Sequence, residues 1–276
     1  MIKDYFKRIL DIIMRPEMNV LPGQLAFFLV LSIFPLLTLI GFIGSKITLL
    51  SIPFIGFFEK VLPNSFDSIL LPFLTSSSFS GNITFVMILG FILVSNGTHS
   101  IIITSDALYG IDYGNYIQRR VKAFFMIFIF LFLFIFLLIV LAYGNIIVNY
   151  IINLDFLSNY RDNIYYVFIL LRWPISFIIL FLILKFMYTV APDEEISSKF
   201  MNKGALFTTV GWIFTTFIYS YYVSNFANYS LFYGSLSGII VMMIWIYLLS
   251  FIFVMGIAIN AEKYLAYKNN KTVHDN

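Results

Sequence analysis

Long apolar runs separated by short polar stretches dominate this chain. A membrane-crossing helix needs about 20 mostly apolar residues. Six windows meet that length: Leu25–Gly44, Ile83–Thr104, Ala123–Val148, Val167–Thr189, Ala205–Ser224 and Leu236–Asn260. The third is the plainest, because Phe124 to Ala142 contains no charged or hydroxyl residue. Membrane barrel strands would alternate polar and apolar over about 10 residues, and these runs do not. The pattern predicts an all-α, polytopic transmembrane helix bundle with six spans over residues 21–265.

Three segments depart from that pattern. In residues 1–20, Ile2, Tyr5, Phe6, Ile9 and Ile13 follow helical spacing, with Lys3, Lys7, Arg8 and Asp11 largely opposite. This predicts a short amphipathic helix, lying on the inner leaflet or packed on the protein's own inner face. Residues 51–82 are apolar but broken by Pro53, Pro63, Pro72 and Ser76–Ser78. Short interfacial or re-entrant pieces on the outer side fit this segment best. Residues 266–276 are polar and read as a cytoplasmic tail. No internal repeat aligns.

Composition agrees with a bilayer solvent. Of the 276 residues, 61% are hydrophobic, 20% aromatic and only 11% charged. Mean hydropathy is +0.93. A soluble domain carries roughly a quarter charged residues and could not hide so much apolar surface. The absence of cysteine excludes disulfides, thiolate metal sites and thiol nucleophiles.

The few charges orient the bundle. Lys3, Lys7, Arg8, Arg15, Arg119, Arg120, Lys122, Lys185, Lys199, Lys203, Lys263, Lys268 and Lys271 fall on one side of a six-span alternation. Only Lys46, Lys60, Arg161 and Arg172 fall on the other. By the positive-inside rule both termini are cytoplasmic. Net charge is only +3, so the total implies little about nucleic acid, and no nucleic-acid partner is among those expected.

Polar side chains inside hydrocarbon are costly, so each cluster is a candidate site. The second span contains Ser95-Asn96-Gly97-Thr98-His99-Ser100. Asn96, His99 and Ser100 share a helical face. Counted from Ile83, His99 lies roughly 24 Å along the span, near its cytoplasmic end. These residues either wall a polar cavity or hydrogen-bond neighbouring helices, with Gly97 allowing close packing. In the fifth span Thr208, Trp212, Thr215, Tyr219 and Tyr222 make one face, which lines a path or forms a packing seam. Tyr229 and Tyr233 suit the outer headgroup level. Asn96, His99, Ser100, Thr215, Tyr219, Tyr222, Tyr233 and Asn260 are the candidate substrate-path residues. Arg119 and Arg120 are candidate lipid-headgroup contacts, or snorkelling anchors.

Several chemistries lack their residues. No phosphate-cradling Walker loop is present. With only His99 and His274 and no cysteine, a His-rich metal site cannot be built. Asp193-Glu194-Glu195 reads as a solvated cytoplasmic loop. No Ser-His-Asp arrangement stands out either. The chain is therefore expected to be no enzyme and to need no metal or cofactor.

The C-terminal third resembles the YihY/BrkB family of bacterial inner-membrane proteins. Gly204-Ala205, Tyr222 with Asn225, Tyr233-Gly234-Ser235, Trp245-Ile246-Tyr247 and Gly256 with Asn260-Ala261 carry the likeness. Leu25-Ala26-Phe27-Phe28 with Phe34-Pro35-Leu36 resembles the family's first span. Ser95 to Tyr109 followed by Arg119-Arg120 resembles its second span and loop. Ala258 stands where that family usually has an acidic residue. The resemblance implies a six-helix protein of the bacterial cytoplasmic membrane. It also implies links to envelope integrity and lipid or lipopolysaccharide export, and an old ribonuclease BN label.

Together these observations lead to an expected transporter or lipid-handling protein of the cell envelope, with membrane lipids as partners. The alternative is a non-transporting scaffold that docks envelope-assembly proteins. A membrane-associated nuclease is the remote third.

Overall fold

The computed structural model describes residues 11–46, 83–112, 114–137, 161–225, 229 and 233–274. The expected outer segment 51–82 and most of the expected N-terminal helix lie outside the described residues. So do the end of the third window and much of the first window's side-chain detail.

Six long α-helices occupy the described residues, and no strand occurs among them. They are α1 (Pro16–Lys46), α2 (Ile83–Tyr109), α3 (Tyr116–Leu137), α4 (Arg161–Val190), α5 (Asn202–Asn225) and α6 (Ser237–His274). Short 3₁₀ turns at Ser198–Phe200 and Gly234–Leu236 precede α5 and α6. Each helix overlaps one apolar window but most run past it. Hydropathy registers where side chains tolerate hydrocarbon, whereas a helix ends where its backbone is capped. Residues 266–274, expected as a tail, simply continue α6.

Local chemistry sets these ends. Pro16 opens α1, where its missing N–H is no loss. At the end of α2, Gly110 takes φ +64. Its N–H meets the Ala107 carbonyl, and the Ile111 N–H donates to the Asp106 carbonyl at 2.9 Å. This paired closure needs the left-handed conformation that glycine adopts without cost. Asn115 then starts α3, its Oδ1 accepting the Ile117 N–H at 3.0 Å.

The helices alternate in direction. Ser32 Oγ reaches the Leu93 carbonyl, and Gly97 faces the Phe28 carbonyl, so α1 and α2 run antiparallel. The end of α2, the start of α3, the end of α4, the start of α5 and the last turns of α6 meet at one end of the bundle. That end carries Arg119, Arg120, Lys122, Lys199, Lys203, Lys263 and Lys268, and is called here the basic end. Helix α6 packs against α5, α1 and α2, while α3 bridges α2 and α4.

The tightest packing lies toward the basic end. Ile101, Ile102, Met126, Leu184, Met187, Tyr188, Met201 and Val254 are buried there in one continuous core. Elsewhere the outward faces are apolar: Phe125, Phe132, Leu170, Trp173, Phe214 and Phe217 are exposed. Among the described residues, two stretches, Tyr165–Val190 and Ser237–Asn270, are long and apolar enough to cross a membrane, each with a peak hydropathy of 2.6. Only 22% and 33% of these windows are buried within the protein, too little for core helices of a soluble domain. An open apolar surface on this scale suits acyl chains, not water.

Candidate functional site

The polar break in α2 distributes its side chains around the helix. Gly97 faces α1, and a Cβ there would lie 3.0 Å from Ser32 Oγ. Thr98 faces α3, donating to the Ala123 carbonyl at 2.8 Å. Ser100, Thr104 and Ser105 are buried on α2, and their hydroxyls have no hydrogen-bond partner among the described residues. A buried hydroxyl usually finds a partner, because leaving it unpaired costs about 1–3 kcal/mol.

Asn96 and His99 turn toward the start of α3. Arg120 Nη1 donates to Asn96 Oδ1 at 2.8 Å, and Arg120 Nε donates to the Tyr116 hydroxyl at 2.8 Å. The His99 ring stands edge-on to Tyr116 with centroids 5.8 Å apart. His99 Nε2 is covered and has no hydrogen-bond partner among the described residues. Arg120 sits one turn from Tyr116, so one guanidinium ties the α3 start to the α2 break. The structure thus gathers Asn96, His99 and Arg120, with Tyr116 as a fourth member that sequence reasoning had not picked out.

Arg119 points elsewhere. It is buried, donates through Nη2 to the Gly114 carbonyl at 3.2 Å, and pairs with Asp193 at 3.7 Å. Lys122 Nζ contacts Asp193 Oδ1 at 3.1 Å and also the Pro192 carbonyl. Asp106 Oδ1 accepts the Asp193 N–H at 2.9 Å. The next residue, Glu194, reaches α6: Tyr264 donates to Oε1 at 2.6 Å, and Lys268 lies 3.1 Å away. The Tyr264 hydrogen bond, helped by Lys268, holds the Glu194 carboxyl below its ordinary range.

The loop expected to be solvated is largely so, with Glu195 exposed and the Glu194 side chain 37% exposed, but it also carries ion pairs. Asp193 and Glu194 strap the α4–α5 connection to α2, α3 and α6. The reason is electrostatic. Arg119 and Lys122 enter from the first turns of α3 and need a counter-charge once partly removed from water. The visible signal was a dense acidic triplet between two spans whose neighbouring loop is basic.

The expected stripe on α5 docks against α6. Thr208 is fully buried, with Oγ1 2.7 Å from the Tyr188 hydroxyl. Trp212 Nε1 donates to the Leu249 carbonyl at 2.9 Å, and the Tyr219 hydroxyl to the Val241 carbonyl at 2.7 Å. Thr215 is half-buried on the same helix, while Tyr222 and Tyr233 are exposed. Tyr219 and Tyr222 pair at 6.5 Å, and Tyr229 stacks on Tyr233 at 6.4 Å. Asn260 is fully buried, its Oδ1 accepting the Gly204 N–H at 2.7 Å. The contacts therefore sort the candidates into an α2–α3 group at the basic end and separate α5–α6 groups. Among the described residues, no three His, Asp or Glu side chains gather where a metal ion could sit.

Comparison with known proteins places this geometry in context. Ribonuclease-like protein YfkH of Bacillus subtilis is 31% identical over 259 residues, covering 92% of each chain. A UPF0761 membrane protein of Alteromonas mediterranea is 28% identical over 88 residues, 32% of this chain and 30% of that one. Another from Psychromonas ingrahamii is 27% identical over 99 residues, 35% of this chain and 34% of that one. No solved structure matches. The family described as Virulence factor BrkB matches residues 10–275, nearly end to end, and the chain belongs to that family of membrane proteins.

Proposed function

We propose that this protein crosses the bacterial cytoplasmic membrane six times, with both termini inside, and handles lipid or another small envelope solute for transport or export. The observation that carries this reading is the set of polar side chains along α2. Ser100, Thr104 and Ser105 are buried without hydrogen-bond partners among the described residues. Asn96 and His99, both half-buried, lie on another side of the same helix, beside Arg120. In a helix surrounded by hydrocarbon such groups are kept at a cost, which a polar solute or headgroup passing along them would offset. The path is assigned to α2 and its neighbours. The α5–α6 side chains Thr208, Trp212, Tyr219 and Asn260 serve the packing of those two helices. The ribonuclease-like name belongs to the Bacillus relative.

Reconstitution into liposomes with fluorescent phospholipids tests the proposal. Wild-type protein should move labelled lipid between leaflets faster than protein-free vesicles. The double variant Asn96→Ala, His99→Ala should slow this about tenfold, as expected for loss of one or two polar contacts to the moving group. Equal rates with and without protein would remove the lipid-moving version and favour the scaffold reading. Specific RNA cleavage by the same preparation would favour the nuclease.

A further inference from the structure

The seam between α2 and α3 has a polar head and an apolar body. At its basic end stand Arg120, Tyr116, Asn96 and His99, linked as described. Away from that end, Ile92 and Ile88 follow Asn96 at one and two turns along α2, and both are exposed. On α3, Phe124 and Phe128 follow Arg120 at the same spacing and are exposed as well. Phe91 and Phe124 meet across the seam with ring centroids 5.9 Å apart, and Phe124 packs edge-on to Phe128. From Arg120 to Phe128 the helix rises about 12 Å, the depth from a headgroup into the acyl region.

The charge at the head is uncompensated. Arg119 and Lys122 pair with Asp193, but among the described residues Arg120 has no carboxylate partner. Its donors to Asn96 and Tyr116 fix the guanidinium without neutralising it. The Tyr116 ring also lies beneath it, 5.3 Å from Cζ. The His99 ring stands edge-on to the same Tyr116 ring and backs it. A fixed guanidinium at the membrane surface complements a phosphate, which takes its planar pair of donors well.

We infer that this seam is a binding site for one anionic glycerophospholipid of the leaflet at the basic end. Arg120 holds the phosphate, Asn96 and Tyr116 orient Arg120, and Phe124, Phe128, Ile92 and Ile88 take an acyl chain. The inference rests on the membrane placement proposed above and not on transport. It separates Arg120 from Arg119, whose charge is committed to Asp193.

The test uses the full chain purified in detergent and stripped of lipid. Phosphatidylglycerol, phosphatidylcholine and inorganic phosphate are added separately, and lipid retention and Tm are measured. Phosphatidylglycerol should be retained about tenfold more than phosphatidylcholine, the usual scale for one charge-assisted contact. Arg120→Gln should abolish that preference, Arg120→Lys should keep most of it, and the control Lys199→Gln should leave it intact. If Arg120→Gln fails to fold, Asn96→Ala and Arg120→Lys still report on the site through graded loss of the preference. Equal retention of both lipids, or a preference that survives Arg120→Gln, overturns the inference. So does stabilisation by inorganic phosphate equal to that by the lipid. A Phe124→Ala variant that changes the mass of the particle without touching lipid preference would assign this face to a second copy and overturn it too. Lipid movement in liposomes by a wild type lacking the preference would sink this site and leave the proposed function standing.

Discussion

At residue scale, α5 and α6 approach closely where they cross at Gly204 and Gly256. A Cβ on Gly204 would overlap the Gly256 carbonyl and the Asn260 side chain. A Cβ on Gly256 would overlap Thr208 Oγ1 and the Tyr188 hydroxyl. Neither side can yield cheaply, because the obstacles are backbone or buried, hydrogen-bonded side chains. Asn260 uses the proximity: its Oδ1 takes one of the free N–H groups in the first turn of α5. Gly204→Ala should therefore destabilise the protein by about 1–3 kcal/mol, the usual scale of overpacking. Gly23, inside α1, has nothing within 4 Å of its virtual Cβ. Gly23→Ala should be neutral or stabilising by up to about 1 kcal/mol, from helix propensity alone. Thermal unfolding of both variants in one detergent checks the contrast, and equal Tm values would show that the crossing is looser than the structure has it. Sequence displayed Gly204 and Asn260 as separate small and polar positions. Their meeting was illegible because they lie 56 residues apart on different helices.

At the scale of elements, the α4–α5 connection works as a strap. Asp193 binds it to α2 and α3, and Glu194 to α6. The Glu194 tie has a definite sign with pH. Tyr264 and then Lys268 favour the carboxylate, so its pKa in the folded protein lies below the ordinary 4.5. A depressed carboxyl contributes stability above the unfolded value, and that contribution is lost as pH falls through the folded value. Wild type should exceed Glu194→Gln in Tm at pH 6, by a small margin because the side chain is 37% exposed. The margin should shrink as pH falls below the ordinary 4.5 toward the lower folded value. A gap that stays constant over that range would show the tie to be neutral packing. The helices themselves were legible, since apolar windows of this length have few alternatives. The strap was not, because a charge run carries no mark of which distant cations will face it. The α2 break was legible as an interruption, yet its sharing among α1, α3 and an open seam depends on helix rotation, which periodicity alone leaves free.

At the scale of the whole molecule, charge bias and side-chain contacts both bear on the proposed six-span topology. Charge bias puts thirteen of seventeen Lys and Arg on one side of a six-span alternation. Side-chain contacts bring the end of α2, the start of α3, the end of α4, the start of α5 and the last turns of α6 to one basic end. Antiparallel α1 and α2 bring the start of α1 toward that end as well. Anionic lipid and the positive-inside bias both favour finding such an end in the cytoplasm. A green fluorescent protein joined after Asn276 should therefore fluoresce, and an alkaline phosphatase joined there should be inactive. The same phosphatase joined after Asn225, at the far end of α5, should be active, because an odd number of crossings precedes it. Phosphatase activity at Asn276 would break the link between basic end and cytoplasm. Activity at neither position would mean that α5 does not cross, since the basic end and the far end of α5 would then lie on one side of the membrane. The two junctions together thus separate an inverted bundle from one with fewer spans, which charge counting alone cannot do.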